Sequence, residues 1–341
     1  MFRPIFALHK RLICPNVLII TAASLSIPML GLAGDASAQP ADCSRTSVGF
    51  IPLNQLGDGL YQGEQGGLYP EGHNLSPLVH EVAGLTLAEA IVPLAPAGEP
   101  APDDPNARYV LVSIGMSNTR LEFETFKEMA NADLEKAPQL MIVNGAQNGA
   151  SAEKIVDPNA RFWTEVDATL SEAGVTPMQV AVAWVKEANA FPTGEFPADA
   201  QRLQGDLTGI AQILKDRFPN LQLAYYSSRI YAGYSTGGKN PEPYAYQSGF
   251  AVKWMLEEQI SGSVELNFDP AKGLVEAPWL AWGPYLWADG LVMRIDGLNW
   301  ACEDFDSDGL HPSEEGQQKV ALRILDFFKT DATARRWFLR D

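Results

Sequence analysis

Short apolar runs alternate with amphipathic helical patterns from Tyr109 to the end of the chain, and this alternation restricts the fold more than any other feature. An apolar run followed by a helical pattern is typical of βαβ units, whose consecutive strands lie parallel. The pattern predicts strands at 109–114, 139–143, 179–185 and 222–227. It predicts helices at 119–131, 160–172, 198–217, 249–261 and 314–330. We therefore expect an α/β fold, a three-layer αβα sandwich around a mostly parallel sheet.

Polar residues follow the carboxyl ends of these predicted strands. Ser117, Gly149, Asn189 and Arg229 each come shortly after one of the apolar runs. Ligands of open parallel sheets bind in the crevice beyond the carboxyl ends of the strands. The sequence therefore predicts a functional site at one edge of the sheet.

A further motif lies near the C-terminus, where the chain reads Asp-Gly-Leu-His-Pro from Asp308 to Pro312. A serine hydroxyl is a poor nucleophile until a base and a group that orients the base are in reach. The spacing of Asp308 and His311 allows a single turn to hold carboxylate and imidazole together. Taken alone, the motif also fits an ordinary Asp-Gly turn with a structural histidine.

Four short blocks, in this order, resemble the SGNH (GDSL-like) hydrolase family. The blocks are Gly-Met-Ser-Asn at 115–118, Asn-Gly-Ala-Gln-Asn-Gly at 144–149, Glu-Ala-Asn at 187–189 and Asp-Gly-Leu-His at 308–311. The resemblance implies an SGNH, or flavodoxin-like, fold for residues 107–341. It also implies a secreted serine esterase that hydrolyses carboxylic esters without a cofactor.

The resemblance assigns a role to one or two residues in each block. It implies that Ser117 is the nucleophile, that His311 is its base and that Asp308 orients His311. It implies that the oxyanion hole consists of the Gly149 N–H and the Asn189 side-chain amide.

The chain departs from the family pattern at two of the four blocks. Met116 stands where the family has an acidic residue before the serine. The family's Gly-x-Asn-Asp is replaced by Glu-Ala-Asn-Ala at 187–190. These departures bear on positioning and on substrate class. They are also the best support for the alternative to an esterase, a non-catalytic carbohydrate-binding or surface-assembly module on a hydrolase fold.

The substrate class is open between two kinds of ester. An exported acidic enzyme with aromatic loops suits the O-acetyl groups of extracellular glycans, which the family includes. A lipid or lysophospholipid esterase is the alternative within the same class. A metalloenzyme using His73 and His80 is a third possibility, but no metal-binding pattern accompanies them, so we expect no metal.

Two features near the predicted edge have both a binding and a structural interpretation. Arg229 suits a substrate carboxylate or phosphate, or a structural ion pair with Glu187 or another acid. Trp282, Tyr285 and Trp287 belong to an aromatic segment that suits either stacking on sugar rings or core packing.

The formal charge of the 341 residues is -17. Nucleic acids recruit proteins through a basic surface, so this charge argues against a nucleic-acid partner. It also argues against electrostatic adhesion to anionic membranes. The sequence leaves the oligomeric state open.

The N-terminus has the parts of a secretory signal peptide. Arg3, Lys10 and Arg11 precede an apolar run at 17–33, and Ala-Ser-Ala at 36–38 fits a cleavage site. We predict a signal peptide at 1–38, export to the periplasm or the extracellular space, and no stable membrane insertion afterwards. The alternative is an uncleaved anchor.

Two cysteines, Cys43 and Cys302, follow the predicted signal peptide. An even pair suits a disulfide in an oxidising compartment, and two unrelated thiols are the alternative. Such a bridge would tie the N-terminal part of the mature chain to the segment before Asp308. Residues 39–106 are rich in turn signals and are expected to form an extended lobe packed on the hydrolase domain.

Overall fold

The computed structural model describes residues 40–340, so the predicted signal peptide at 1–38 lies outside the described residues. Five parallel strands form the central sheet. They are β3 (Tyr109–Gly115), β4 (Leu140–Asn144), β5 (Val180–Lys186), β6 (Leu223–Tyr226) and β7 (Trp279–Trp282). Two residue pairs form a separate antiparallel hairpin, β1 (Leu60–Tyr61) and β2 (Glu64–Gln65).

The sheet order is β4-β3-β5-β6-β7, and all neighbouring strands are parallel. This is the flavodoxin-like order. The second strand is added on one side of the first strand and the third on the other, so the switch point lies between the first and the third strand. Here those strands are β3 and β5. Their residues are buried throughout, as expected of central parallel strands covered on both faces. The crevice at their carboxyl ends is therefore where this topology places a ligand.

Helices cover both faces of the sheet. They are α1 (Leu53–Leu56), α2 (Leu78–Glu89), α3 (Ser117–Ala132), α4 (Ala152–Ile155), α5 (Arg161–Glu172), α6 (Ala198–Arg217), α7 (Tyr244–Ile260), α8 (Glu314–Thr330) and α9 (Arg335–Phe338). Short 3-10 helices lie at Pro70–Gly72, Pro177–Gln179, Val264–Leu266 and Cys302–Asp304. Helix α3 packs against α8, and α6 packs against α7. The predicted three-layer α/β fold is confirmed. None of the helices within residues 40–340 could cross a bilayer.

Besides several shorter elements, the sequence prediction missed strand β7 and helix α2. The aromatic segment contains the fifth strand, β7, which pairs with β6. The region 39–106, predicted to be extended, contains the 12-residue helix α2. Helix α2 packs closely on the sheet, because its Gly84 lies against the Trp279 ring and the Trp279 indole donates to the His80 carbonyl at 3.0 Å.

The N-terminal part of the described chain is attached to the segment that carries Asp308. The Ala41 N–H donates to the Ser307 carbonyl at 2.8 Å. Cys43 and Cys302 form a disulfide with a Cα–Cα distance of 5.4 Å, which confirms the predicted pairing. Ala41 and Cys43 thus attach the start of the described chain to the segment at 302–307.

Reduction of this disulfide is expected to destabilise the protein. The bridge closes a loop with a sequence separation of 259 residues, so its loss frees a large part of the unfolded chain. We expect the free energy of unfolding to fall by about 2–5 kcal/mol, measured as the shift of the urea midpoint with and without reductant. The Cys43→Ser/Cys302→Ser protein is the control and should not respond to reductant. Alkylation of both thiols in the unreduced protein would contradict the bridge.

Candidate active site

Ser117 begins helix α3 just after strand β3 ends at Gly115. The strand-to-helix junction leaves its side chain half-buried at the carboxyl edge of the sheet. The first N–H groups of a helix have no acceptor within the helix and favour negative charge nearby. Negative charge that develops at or next to Ser117 is therefore stabilised by the start of α3.

Asp308 and His311 lie on one turn directly before helix α8. Asp308 Oδ1 accepts the backbone N–H groups of Leu310 at 2.9 Å and His311 at 3.0 Å. Gly309 has a φ of 64°, and a Cβ there would lie 2.6 Å from the Tyr234 backbone. The turn therefore requires glycine after the aspartate. We call residues 306–312 the base turn.

The three side chains form one continuous hydrogen-bonded chain. Ser117 Oγ lies 2.8 Å from His311 Nε2, and His311 Nδ1 lies 2.6 Å from Asp308 Oδ2. A carboxylate can only accept, so Nδ1 carries the proton and the Nε2 lone pair faces the serine hydroxyl. This is the arrangement in which an imidazole can take a proton from serine.

The pKa of Asp308 is held well below its ordinary value. Partial burial pushes this pKa up, but hydrogen bonds from the His311 ring and from the N–H groups of His311 and Leu310 outweigh that effect. Asp308 is therefore ionised throughout the pH range in which the protein would work. The carboxylate is always available to accept the Nδ1 proton.

Gly149 lies on an exposed loop that is hydrogen-bonded to the residues around Ser117. The Gln147 N–H donates to the Gly115 carbonyl at 2.9 Å, and Arg120 Nε donates to Asn148 Oδ1 at 3.0 Å. Gly149 has a φ of 72°, and its N–H has no acceptor within residues 40–340. Lys154 Nζ donates to the Gly149 carbonyl at 2.8 Å. The Gly149 N–H is thus free to donate to a ligand.

A cavity of about 470 Å³ opens beside Gly149. Its lining is mixed: polar side chains come from Gln147, Asn148, Lys154, Arg161, Glu165 and Thr169, and apolar ones from Ala150, Ile155, Ala160 and Phe162. Ser117 and His311 are not among its lining residues, so the cavity adjoins the site through Gly149 rather than enclosing it.

Asn189 follows β5 and is held by two helices. Its Oδ1 accepts the Glu153 N–H of α4 at 3.2 Å, and its Nδ2 donates to Asp206 of α6 at 3.0 Å. The amide has a second N–H, which has no acceptor among the described residues. A contribution of Asn189 to an oxyanion hole would have to use that second N–H, and it remains a prediction.

Arg229 is buried and contacts other parts of the protein. Its Nε donates to Asn240 Oδ1 at 3.3 Å, and Asn240 Nδ2 donates in turn to the Asn189 carbonyl at 3.1 Å. These contacts fit a structural role for Arg229, but through Asn240: among the described residues Arg229 forms no ion pair with Glu187 or another acid. Its Nη1 and Glu187 Oε1 are both buried without a hydrogen-bond partner among the described residues.

The rings considered for sugar stacking lie in the interior. Trp282 Nε1 donates to the Leu68 carbonyl at 2.6 Å, and Trp287 Nε1 donates to Glu242 Oε1 at 2.8 Å. The Tyr285 hydroxyl accepts the Leu53 N–H at 3.1 Å. Buried rings with internal partners offer no face to a sugar, so of the two interpretations of these rings core packing fits the structure.

Sequence reasoning missed a buried ion pair below the site. Lys186 Nζ lies 2.5 Å from Glu122 Oε2, and both side chains are at most 1% exposed. Burial lowers the pKa of Lys186 to about 8 and raises that of Glu122, in each case against the attraction of the partner. A lysine at the end of an apolar strand is the signal that points to such a pair.

The two remaining described histidines lie apart from this site. His80 Nε2 contacts the Leu280 carbonyl at 2.8 Å, and the ring stacks on Trp279. His73 is exposed and lies 3.8 Å from Glu71. Within residues 40–340, no three potential ligands cluster as a metal site requires.

No family model matches this chain, and no curated protein matches it. Several solved structures are similar at low identity. A protein from Streptococcus pneumonia described as a platelet activating factor is 13% identical, with 73% of this chain and 92% of that chain covered and a TM-score of 0.36. A protein from Bacteroides fragilis described as an acylhydrolase is 12% identical, with 75% and 96% covered and a TM-score of 0.36.

A third similar structure is the periplasmic domain of a lipopolysaccharide acetyltransferase from Salmonella ser. Paratyphi A. It is 12% identical, with 73% of this chain and 94% of that chain covered and a TM-score of 0.35.

Proposed function

We propose that the protein is a serine esterase of the SGNH type that hydrolyses carboxylic esters. The observation that carries the proposal is the unbroken chain from Ser117 Oγ through His311 to Asp308, with distances of 2.8 Å and 2.6 Å. A hydroxyl, a neutral imidazole and an ionised carboxylate in this order can activate a serine.

In the first half of the proposed reaction, Ser117 Oγ attacks the ester carbonyl carbon. Its proton passes to His311 Nε2, and Asp308 stabilises the imidazolium that forms. The N–H of Gly149, the second N–H of Asn189 and the start of α3 stabilise the tetrahedral oxyanion. His311 then returns the proton to the leaving alcohol, and the acyl group stays on Ser117.

In the second half, water replaces the alcohol. His311 takes a proton from the water as it attacks the acyl-enzyme, and it returns the proton to Ser117 Oγ as the acid leaves. Each half returns His311 to its neutral form, so the cycle needs no cofactor.

We propose an O-acetylated extracellular glycan as the substrate class. The Ser117 side chain is half-buried, so part of it stays open to solvent. The cavity beside Gly149 combines amide, hydroxyl and charged groups with apolar residues such as Ile155 and Phe162, a mixture that suits the hydroxyls and the ring of a sugar. The buried aromatic rings contribute nothing to this assignment.

We also propose that the protein works outside the cytoplasm, in the periplasm or the extracellular space. The Cys43–Cys302 disulfide supports this, because such bonds persist mainly in oxidising compartments.

The test is labelling by a fluorophosphonate probe together with a substrate panel. We expect the probe to modify one residue, Ser117, as located by peptide mass analysis. On p-nitrophenyl esters, activity should be highest for acetate and should fall as the acyl chain lengthens. Free acetate released from acetylated glycans, counted against acetate moved to sugar acceptors, separates hydrolysis from acyl transfer.

Absence of labelling and turnover in folded protein would instead favour a non-catalytic module. In that case glycan binding without acetate release is the expected behaviour. Highest activity on long-chain esters would retain the esterase and replace the glycan by a lipid substrate.

A further inference from the structure

The side chain of Asn118, next to Ser117 on α3, is hydrogen-bonded to the base turn, 192 residues further along the chain. Its Nδ2 donates to the Leu310 carbonyl at 2.9 Å, and the residue is 2% exposed. Asn118 directly follows Ser117, and Leu310 directly precedes His311. This buried hydrogen bond therefore lies beside the contact between the serine hydroxyl and the imidazole.

The peptide group between Leu310 and His311 is held at both of its polar ends. Its carbonyl accepts from Asn118, while its N–H donates to Asp308 Oδ1 at 3.0 Å. Hydrogen bonds at the two ends of one amide polarise each other and strengthen together. The plane of this peptide fixes the direction in which the His311 side chain leaves the backbone.

Other contacts hold the base turn from different sides. One is internal to the turn, from the Asp306 N–H to the His311 carbonyl at 2.8 Å, and the other comes from the Ala41 N–H to the Ser307 carbonyl at 2.8 Å. Neither contact reaches the helix that carries Ser117. Apart from the serine–histidine contact, no other hydrogen bond within residues 40–340 joins Met116–Thr119 to the base turn.

We propose that Asn118 is a positioning residue that sets the separation and angle between Ser117 Oγ and His311 Nε2. The proposal rests on the proposed serine esterase function and adds a residue to it. Asn118 acts through the Leu310 carbonyl and does not touch the reacting atoms. The resemblance assigns no role to Asn118.

The test is Asn118→Leu, which keeps the branching at Cγ, adds some volume and removes the donor. A displacement of the base by about 1 Å costs up to roughly 10²-fold in rate. We expect kcat for p-nitrophenyl acetate to fall about 10- to 100-fold, with KM changed by less than about twofold. The rate constant for fluorophosphonate labelling should fall in parallel.

A proton NMR spectrum gives a readout that a purely structural role would not move. The proton between His311 Nδ1 and Asp308 should give a resonance far downfield in the native protein. In Asn118→Leu this resonance should shift or broaden, because the peptide that carries His311 is no longer fixed.

The matched control is Thr125→Val, two turns further along α3. Thr125 Oγ1 donates to Gln317 Oε1 of α8 at 3.2 Å, so this variant also loses a hydrogen bond from α3, but to α8 rather than to the base turn. It should lower the melting temperature to a similar extent and leave kcat and the downfield resonance unchanged. If the leucine variant does not fold, Asn118→Ala replaces it. Its kcat and downfield resonance are then compared with those of the wild type at equal folded fraction, measured by near-ultraviolet circular dichroism.

Three outcomes would overturn the proposal. Folded Asn118 variants with wild-type kcat and resonance would remove the positioning role and leave the esterase intact. An equal loss of kcat in Thr125→Val would reduce the effect to general destabilisation. A wild-type protein that is neither labelled nor active would overturn the esterase and the positioning role together.

Discussion

Ser117→Ala is expected to remove nearly all esterase activity while leaving the protein folded. Loss of the nucleophile from a serine hydrolase lowers kcat by about 10⁴- to 10⁶-fold. Alanine is the best helix former, so it is well tolerated at the start of α3. The measurements are kcat/KM on p-nitrophenyl acetate, fluorophosphonate labelling and circular dichroism.

Ser171→Ala is the matched control, because Ser171 is an exposed serine on helix α5. It should keep full activity and full labelling at Ser117. If Ser117→Ala kept comparable turnover in the folded state, another group would have to attack the ester, and the proposed mechanism would be wrong.

Most strands of the central sheet and the long helices that cover it could be predicted, because their residues form clear apolar runs or helical patterns. Strands β3 and β5 are buried along their whole length and read as continuous apolar runs. The helices at 198–217 and 314–330 begin and end where the pattern places them. Strong local patterns of this kind survive tertiary packing.

The missed elements lack such patterns. Strand β7 has only four residues and reads Trp-Leu-Ala-Trp, which is equally typical of a packed loop. Helix α2 leaves Leu78, Val79 and Val82 more than half exposed, so its apolar residues do not mark a core-facing stripe. Neighbouring turn residues then dominated the prediction.

The candidate site was predictable where its members are close in sequence or follow a strand. Asp308 and His311 share one turn, and Ser117 follows β3. Contacts such as those of Asn118 with Leu310 and Glu122 with Lys186 join residues far apart in the chain. Only the assembled fold shows them, because no local pattern records which distant group a buried polar side chain meets.

His311→Ala is expected to lower kcat nearly as much as Ser117→Ala, by about 10⁴- to 10⁶-fold. Without the imidazole, the Ser117 hydroxyl has no base within reach at 2.8 Å. The measurement is kcat on p-nitrophenyl acetate across a range of pH. His73→Ala is the matched control, since His73 is exposed and its ring contacts Glu71 rather than the base turn, and it should behave as wild type.

Asp308→Asn is expected to cost less, about 10²- to 10⁴-fold in kcat. The Asn oxygen can keep the two backbone N–H groups of the turn, which points its amide N–H at His311 Nδ1. That contact favours the wrong tautomer, with the Nε2 proton facing the serine.

The pH profile separates the roles of Asp308 and His311 further. The low pKa of Asp308 keeps it ionised, so only the base takes up a proton on the acid side. The kcat/KM of the wild type should therefore fall there with the slope of one proton. A slope of two protons, or an Asp308→Asn variant with wild-type kcat, would show that Asp308 does not serve His311 in this way.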